Sequence, residues 1–206
     1  MIKSYKTFII IGITGMPGAK KTSVAKIMSS YGIPYFTLSS ILNKELAVRG
    51  IDPTPINYAR LASELRKNFG EDILARRIWR SIKVNAVKTD TIIIEGIRSP
   101  AEVHFFHTVG KCFFLVLVHS SPETRFRKFK QKKHPFLNTL EQLESQDKTN
   151  LELGIGEVIA QADYVIINES YYEKSIKDQV RNLYQFLKRK KTSHNITQKN
   201  TKGVSL

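Results

Sequence analysis

Cysteine is nearly absent from this sequence. Cys112 is the single one, which excludes an intramolecular disulfide, and its place inside CFFLVLV predicts a buried thiol in a strand. Long apolar runs are also missing. No stretch reaches the roughly 18 consecutive apolar residues of a membrane span, and Lys3 and Lys6 lead into a strand rather than a signal-peptide pattern. A soluble intracellular protein with no membrane partner is expected. His104 and His107 stand three apart on one short helix without a cysteine or an HExxH pattern, so they read as surface or packing residues and not as a metal centre. Acid is scarce: 18 Asp and Glu face 33 Lys and Arg, a net charge of +15 that steers nucleotides, polyphosphates or nucleic acid toward the chain without choosing among them. There is no internal repeat, and 206 residues at 41% hydrophobic suffice for one good core, short of two full domains.

What is present begins at Thr7 to Ser23, TFIIIGITGMPGAKKTS, where an apolar run breaks into glycines and then into Lys-Lys-Thr-Ser. This reads as a buried strand, a phosphate-wrapping loop and a helix start. Gly15, Lys21 and Thr22 fit the P-loop pattern G-x-x-x-x-G-K-[ST], while Lys20 occupies the second glycine position. Backbone N–H groups of Gly15, Met16, Pro17 (which lacks one), Gly18, Ala19, Lys20, Lys21, Thr22 and Ser23 form the candidate nucleotide-binding stretch. Lys21 is placed to reach the β- and γ-phosphates of ATP, and the Thr22 hydroxyl to ligate Mg²⁺. A side chain at Lys20, where positive φ is commonly needed, costs about 1–2 kcal/mol if the loop keeps its usual shape.

Strands and helices alternate along the rest of the chain. Ile33 to Leu38 is a second strand, Ser39 and Ser40 are candidate caps for a helix ending at Gly50, Thr54-Pro55 opens another, and Glu71 to about Val87 is a third. Thr91 to Glu95 reads as a central strand ending in a carboxylate, Cys112 to Val118 as the next, and Asp163 to Ile167 as the last. The helix opened by Ser121-Pro122 turns intensely basic at Arg125, Arg127, Lys128, Lys130, Lys132 and Lys133, consistent with a bound anion or a solvated face. Tyr171 to Lys191 carries Ile176, Val180, Leu183 and Leu187 at helical spacing. The expected fold is α/β: a five-stranded parallel sheet with helices on both faces, in a single domain over residues 1–191. Residues 39–87 form a helical insertion, residues 125–161 a lid region, and residues 192–206 a mobile, polar, basic tail without periodicity.

The layout resembles the P-loop nucleoside-monophosphate-kinase superfamily, and more closely the archaeal dephospho-CoA kinase-like proteins. GMPGAKKTSVAKI, PTPINYARLASELRKNFG, IIIEGIRSPAEV, HSSPETRFRKF and LGIGEVIAQADYVIIN carry the likeness over most of residues 7–168. The resemblance implies an ATP site at the P-loop, an acceptor site over the helical insertion and a basic lid. It implies that Glu95 and Arg98 face the transferring group, with Glu95 also a candidate Mg²⁺ ligand, and that Arg125 and Arg127 act as lid arginines. Asn168 resembles a base-contacting position, with a simple turn as the alternative; Glu95 and Arg98 alternatively form a structural ion pair. Where many such kinases carry an acid near the end of the second strand, FTLSS supplies hydroxyls, Ser40 among them. Three readings follow: an ATP- and Mg-dependent kinase acting on a phosphorylated small-molecule acceptor of nucleotide or CoA-precursor type; a catalytically weakened ATP-binding protein or slow NTPase; and a nucleic-acid or ribonucleoprotein binder using the basic lid and the Lys188–Lys191 run.

Overall fold

The computed structural model describes residues 8–85, 89–131, 139–169 and 175–201, with side chains described as far as residue 189. Five parallel strands, β1 (Ile9–Thr14), β2 (Tyr35–Thr37), β3 (Thr91–Glu95), β4 (Cys112–His119) and β5 (Tyr164–Ile167), lie in the order β2-β3-β1-β4-β5. The β-branched runs of β1 and β3 sit centrally because both their faces are covered, and Ile10 pairs Ile92 while Ile11 pairs Ile93. Period-2 alternation then sorts the core. Ile10, Ile92 and Ile94 pack with α2 (Ser39–Arg49), α3 (Pro55–Phe69), α4 (Ile73–Val84) and α5 (Pro100–Val109). Ile11, Ile13 and Ile93 face α1 (Lys21–Ser29) and α9 (Ile176–Thr201) through Val24, Met28, Val180 and Leu183.

Helix boundaries follow local chemistry in most places. Thr54 accepts from Asn57 N at the start of α3, with Pro55 in its first turn, and Ser99 and Glu102 complete a reciprocal capping box on α5. Ser39 and Ser40 do not cap α2: its cap position is Leu38, and Thr37 Oγ1 instead accepts from Ser40 N at 3.2 Å. The helical stretch Leu140 to Gln161, for which the sequence offers a break or cap near Gly154 and Gly156, divides into α7 (Leu140–Glu152) and α8 (Ile155–Ala160) at Gly154. α6 (Pro122–Gln131) holds the first part of the basic run. Lys132 and Lys133 lie outside the described residues.

Two expectations need correction. α9 continues to Thr201 rather than giving way to a nonperiodic tail at Thr192, because no glycine or proline interrupts the chain there and an established helix adds turns readily. Cys112 does stand in a strand, but at its first residue, where the sheet edge leaves it half-buried.

Candidate nucleotide-binding site

Because all five strands are parallel, their C-terminal ends meet along one edge, and the loops after β1, β2, β3, β4 and β5 converge there. The β1–α1 loop is the P-loop stretch. Gly15 has φ 136 and runs so close to β4 that a Cβ would lie 2.2 Å from Val118 O, so only glycine fits. Gly18, at φ 83, is backed by the Phe129 ring of α6, 2.5 Å from where a Cβ would sit. Thr14 Oγ1 donates to Ile97 O at 2.8 Å and pins the loop to the β3–α5 connection.

Lys20 holds φ 71 and ψ 35, the one left-handed non-glycine among the described residues, directly before the first turn of α1. The loop has therefore kept the shape that glycine would give it, and the backbone strain is borne by the folded protein.

Lys21 is buried, and its Nζ donates to Gly15 O at 2.7 Å and Met16 O at 3.1 Å. Burial lowers its pKa to about 7, helped by the nearby Arg98 and Arg125 and opposed by Glu95. The strand alternation that puts Ile93 on the α1 face puts Glu95 there too, at the end of β3 and beside Lys21. Glu95 is buried and makes no side-chain hydrogen bond among the described residues. Thr22 is exposed at the mouth, Ser23 is half-buried, and the Thr37 and Ser39 hydroxyls meet at 3.1 Å at the end of the neighbouring β2.

The lid arginines part company. Arg125 is 2% exposed, gripped by both oxygens of Asp147 on α7 at 2.8 and 2.5 Å, and donates from Nη1 to Pro17 O at 3.2 Å. It is thereby tied to the P-loop backbone on one side and to α7 on the other, with its charge paired by Asp147 and its field reaching Lys21. Arg127, two residues on, is exposed on α6. Asn168 is also clasped to the loop: its Nδ2 donates to Ala19 O at 2.9 Å, and its carbonyl accepts from Lys128 Nζ at 2.8 Å. Burial and the neighbouring Lys20 lower the Lys128 pKa. Glu169, after β5, is buried and accepts from the Ser121 backbone and hydroxyl and from Thr124 Oγ1, fixing the start of α6.

Among these, Asp147, Phe129 and Glu169 were not singled out by sequence reasoning. Asp147 lies in a polar helix, LEQLESQDKTNLE, whose pattern marks none of its acids; Glu102 was not singled out either, although as the fourth residue of Ser-Pro-Ala-Glu it carried a capping-box signal.

The chain is 38% identical over 167 residues to the UPF0200 protein of Hyperthermus butylicus, covering 81% of this chain and 88% of that protein. It belongs to the UPF0200 family. The UPF0200 protein of Methanocaldococcus jannaschii is 35% identical over 178 residues, 86% of this chain and 89% of its own length. Residues 14–143 of this UPF0200 chain match the AAA domain family. Among solved structures, shikimate kinase from Bacteroides thetaiotaomicron superposes with a TM-score of 0.54 at 19% identity, covering 87% of this chain and 98% of that one. A gluconokinase from Sinorhizobium meliloti gives 0.51 at 14% identity, covering 94% and 98%. These likenesses establish the P-loop kinase fold of this UPF0200 member. No helix among the described residues is long and apolar enough to cross a membrane.

Proposed function

We propose that this UPF0200 chain is an ATP-using, Mg-dependent phosphotransferase whose acceptor is a small phosphorylated molecule of nucleotide or CoA-precursor type, bound over the α2–α4 insertion. The observation that carries the reading is Lys21, buried at the start of α1 and held on the carbonyls of Gly15 and Met16, with the Glu95 carboxylate beside it on the same face. Nucleotide phosphates offer Lys21 better acceptors than neutral carbonyls, so its ammonium turns from the loop to the β- and γ-oxygens. The loop N–H groups and the nine-residue α1 present positive dipole to the same charge.

The hard oxygen donors present suit Mg²⁺, the exposed Thr22 hydroxyl and the otherwise unbonded Glu95 carboxylate, and the described residues contain no group of three His, Cys, Asp or Glu that would hold a metal unaided. When bound, the ion neutralises charge on the transferring phosphoryl group. With only Thr37, Ser39 and Ser40 hydroxyls at the end of β2, Glu95 is the carboxylate available to orient the acceptor hydroxyl.

A second reading, a slow NTPase with weakened transfer, is favoured by the same hydroxyls and by the strained Lys20. The nucleic-acid reading loses part of its basis, since Arg125 and Lys128 of α6 are engaged with Asp147 and Asn168. A screen of nucleoside triphosphates and of nucleotide and CoA precursors, read by ADP release and thermal shift, separates the two. An acceptor that raises both the rate and the melting temperature in the presence of an ATP analogue supports transfer; ADP release indifferent to every acceptor supports the NTPase.

A further inference from the structure

Two side chains grip the phosphate loop by its carbonyls. Arg125 Nη1 donates to Pro17 O at 3.2 Å, and Asn168 Nδ2 donates to Ala19 O at 2.9 Å. In a trans peptide the C=O and the N–H of the next residue lie in one plane and point opposite ways. Fixing Pro17 O therefore fixes the Gly18 N–H, and fixing Ala19 O fixes the Lys20 N–H, each turned away from the side chain that holds the carbonyl. Neither of these two amides has an acceptor among the described residues, whereas Ala19 N, between them, donates back to Met16 O at 3.2 Å. Unused donors thus stand on both sides of a used one, in a loop of the kind whose N–H groups wrap an anion.

Both clasps are themselves held from behind. Arg125 is buried, spends Nη1 and Nη2 on the two oxygens of Asp147 at 2.8 and 2.5 Å, and donates from Nε to Ser120 O at 3.2 Å. The buried Asn168 has its backbone N on His119 O at 2.8 Å, and its carbonyl accepts from Ser120 Oγ at 3.0 Å and Lys128 Nζ at 2.8 Å. Ser120, just past the end of β4, therefore anchors both. The grip on Ala19 O bears most on Lys20, the next residue, whose φ of 71 is a strained conformation of the kind that persists only where its surroundings over-determine it. Glycine would adopt that backbone without such a restraint.

We propose that Asp147 and Asn168 are positioning residues for the nucleotide phosphates: Asp147, through Arg125, holds the Gly18 N–H turned into the loop, and Asn168 holds the Lys20 N–H there. Neither side chain touches the nucleotide. A donor already turned toward the phosphate needs no reordering when the ligand arrives, so the two clasps strengthen binding by preorganisation. These roles rest on the reading of the loop as the phosphate site, and they move Asn168 from the nucleotide base to the loop backbone.

The test titrates Mg-ADP into the full chain, isotope-labelled for amide NMR and held well below its melting transition, as wild type, Asp147→Asn and Asn168→Leu. An amide that donates to phosphate moves its proton resonance downfield, so Gly18 and Lys20 should both move in the wild type. Asp147→Asn should shrink the Gly18 shift and spare that of Lys20; Asn168→Leu should do the reverse. Each variant should bind Mg-ADP about three- to tenfold more weakly, the worth of one neutral hydrogen bond. A purely structural role lowers the melting temperature but leaves both shifts and the affinity of the folded protein at wild-type values, and that result overturns the proposal. So does loss of both shifts together in either variant. If Asp147→Asn does not fold, Asn168→Leu decides. Mg-ADP bound by the wild type with the Gly18 and Lys20 amides unmoved overturns the two roles and leaves the phosphate site standing on Lys21. Absence of Mg-ADP binding by the wild type refutes the phosphate site itself, and the two roles with it.

Discussion

Nucleotide binding should take up a proton at Lys21. In the nucleotide-free protein, burial and the neighbouring arginines lower this ammonium to about 7, so at pH 8 about 0.9 of the molecules carry it neutral. Phosphate oxygens favour the charged form, and binding returns the pKa toward its ordinary value. Below pH 7 the residue is protonated both free and bound, and affinity is flat. Above it, each complex must recruit a proton, so Mg-ADP affinity falls by about tenfold per pH unit between pH 7.5 and 9. Titration calorimetry at pH 8 in two buffers of different ionisation enthalpy measures the uptake directly, with an expected value near 0.9 proton per nucleotide. A Lys21→Met chain should show none. The same depression has a consequence for the free fold: between about pH 7 and the unfolded value near 10.4 the unfolded chain binds more protons, so stability rises with pH across that window. Zero proton uptake with pH-independent affinity would refute the reasoning, because it would mean Lys21 is either already charged or not at the phosphates.

Lys20→Gly should remove left-handed strain of about 1–2 kcal/mol, partly offset by the chain entropy of glycine at about 0.5–1 kcal/mol, raising the melting temperature by about 2–4 °C. Since the strain is already present before nucleotide arrives, ATP affinity should change little or fall by up to about fivefold through the lost cation, and a lower melting temperature would contradict this. Arg125→Met leaves Asp147, 16% exposed in its side chain, without its partner; unfolding should cost about 2–4 kcal/mol less in calorimetry, somewhat below the effect in a fully buried pair. An unchanged midpoint would show that Arg125 is not a buttress. Glu95→Gln keeps shape and removes charge, so turnover should fall by at least tenfold with ATP affinity little altered; loss of folding would instead favour a structural ion pair.

The sheet was legible because its signals are local and redundant. TIIIE, CFFLVLV and the run before Gly15 are too apolar to lie anywhere but between helix layers, and Thr54-Pro55, Ser99-Pro100 and Gly154 mark helix ends whose hydrogen bonds the structure contains. The loop geometry was legible for the same reason: the glycine pattern made the left-handed backbone at Lys20 foreseeable. What sequence could not supply was who pairs with whom. Arg125 reads as one more cation in a basic helix until the fold brings Asp147, 22 residues away, against it. Arg66 and Glu102 meet across 36 residues, and Asn168 reaches Ala19 across 149, separations at which no pattern carries information. The absence of an acid at the end of β2 was plain from FTLSS, but only the strand register assigns Glu95 to the α1 face.

Equilibrium titration of Mg-ATP into wild type and Lys21→Ala tests the account at its centre. One nucleotide per chain is expected for wild type, with affinity reduced by at least tenfold in the variant while its unfolding midpoint does not fall, since Lys21 makes its contacts to the loop's own carbonyls and burial already disfavours its charge. Equal affinity in the two proteins, or no saturable binding by the wild type, would contradict the assignment of this loop as the phosphate site.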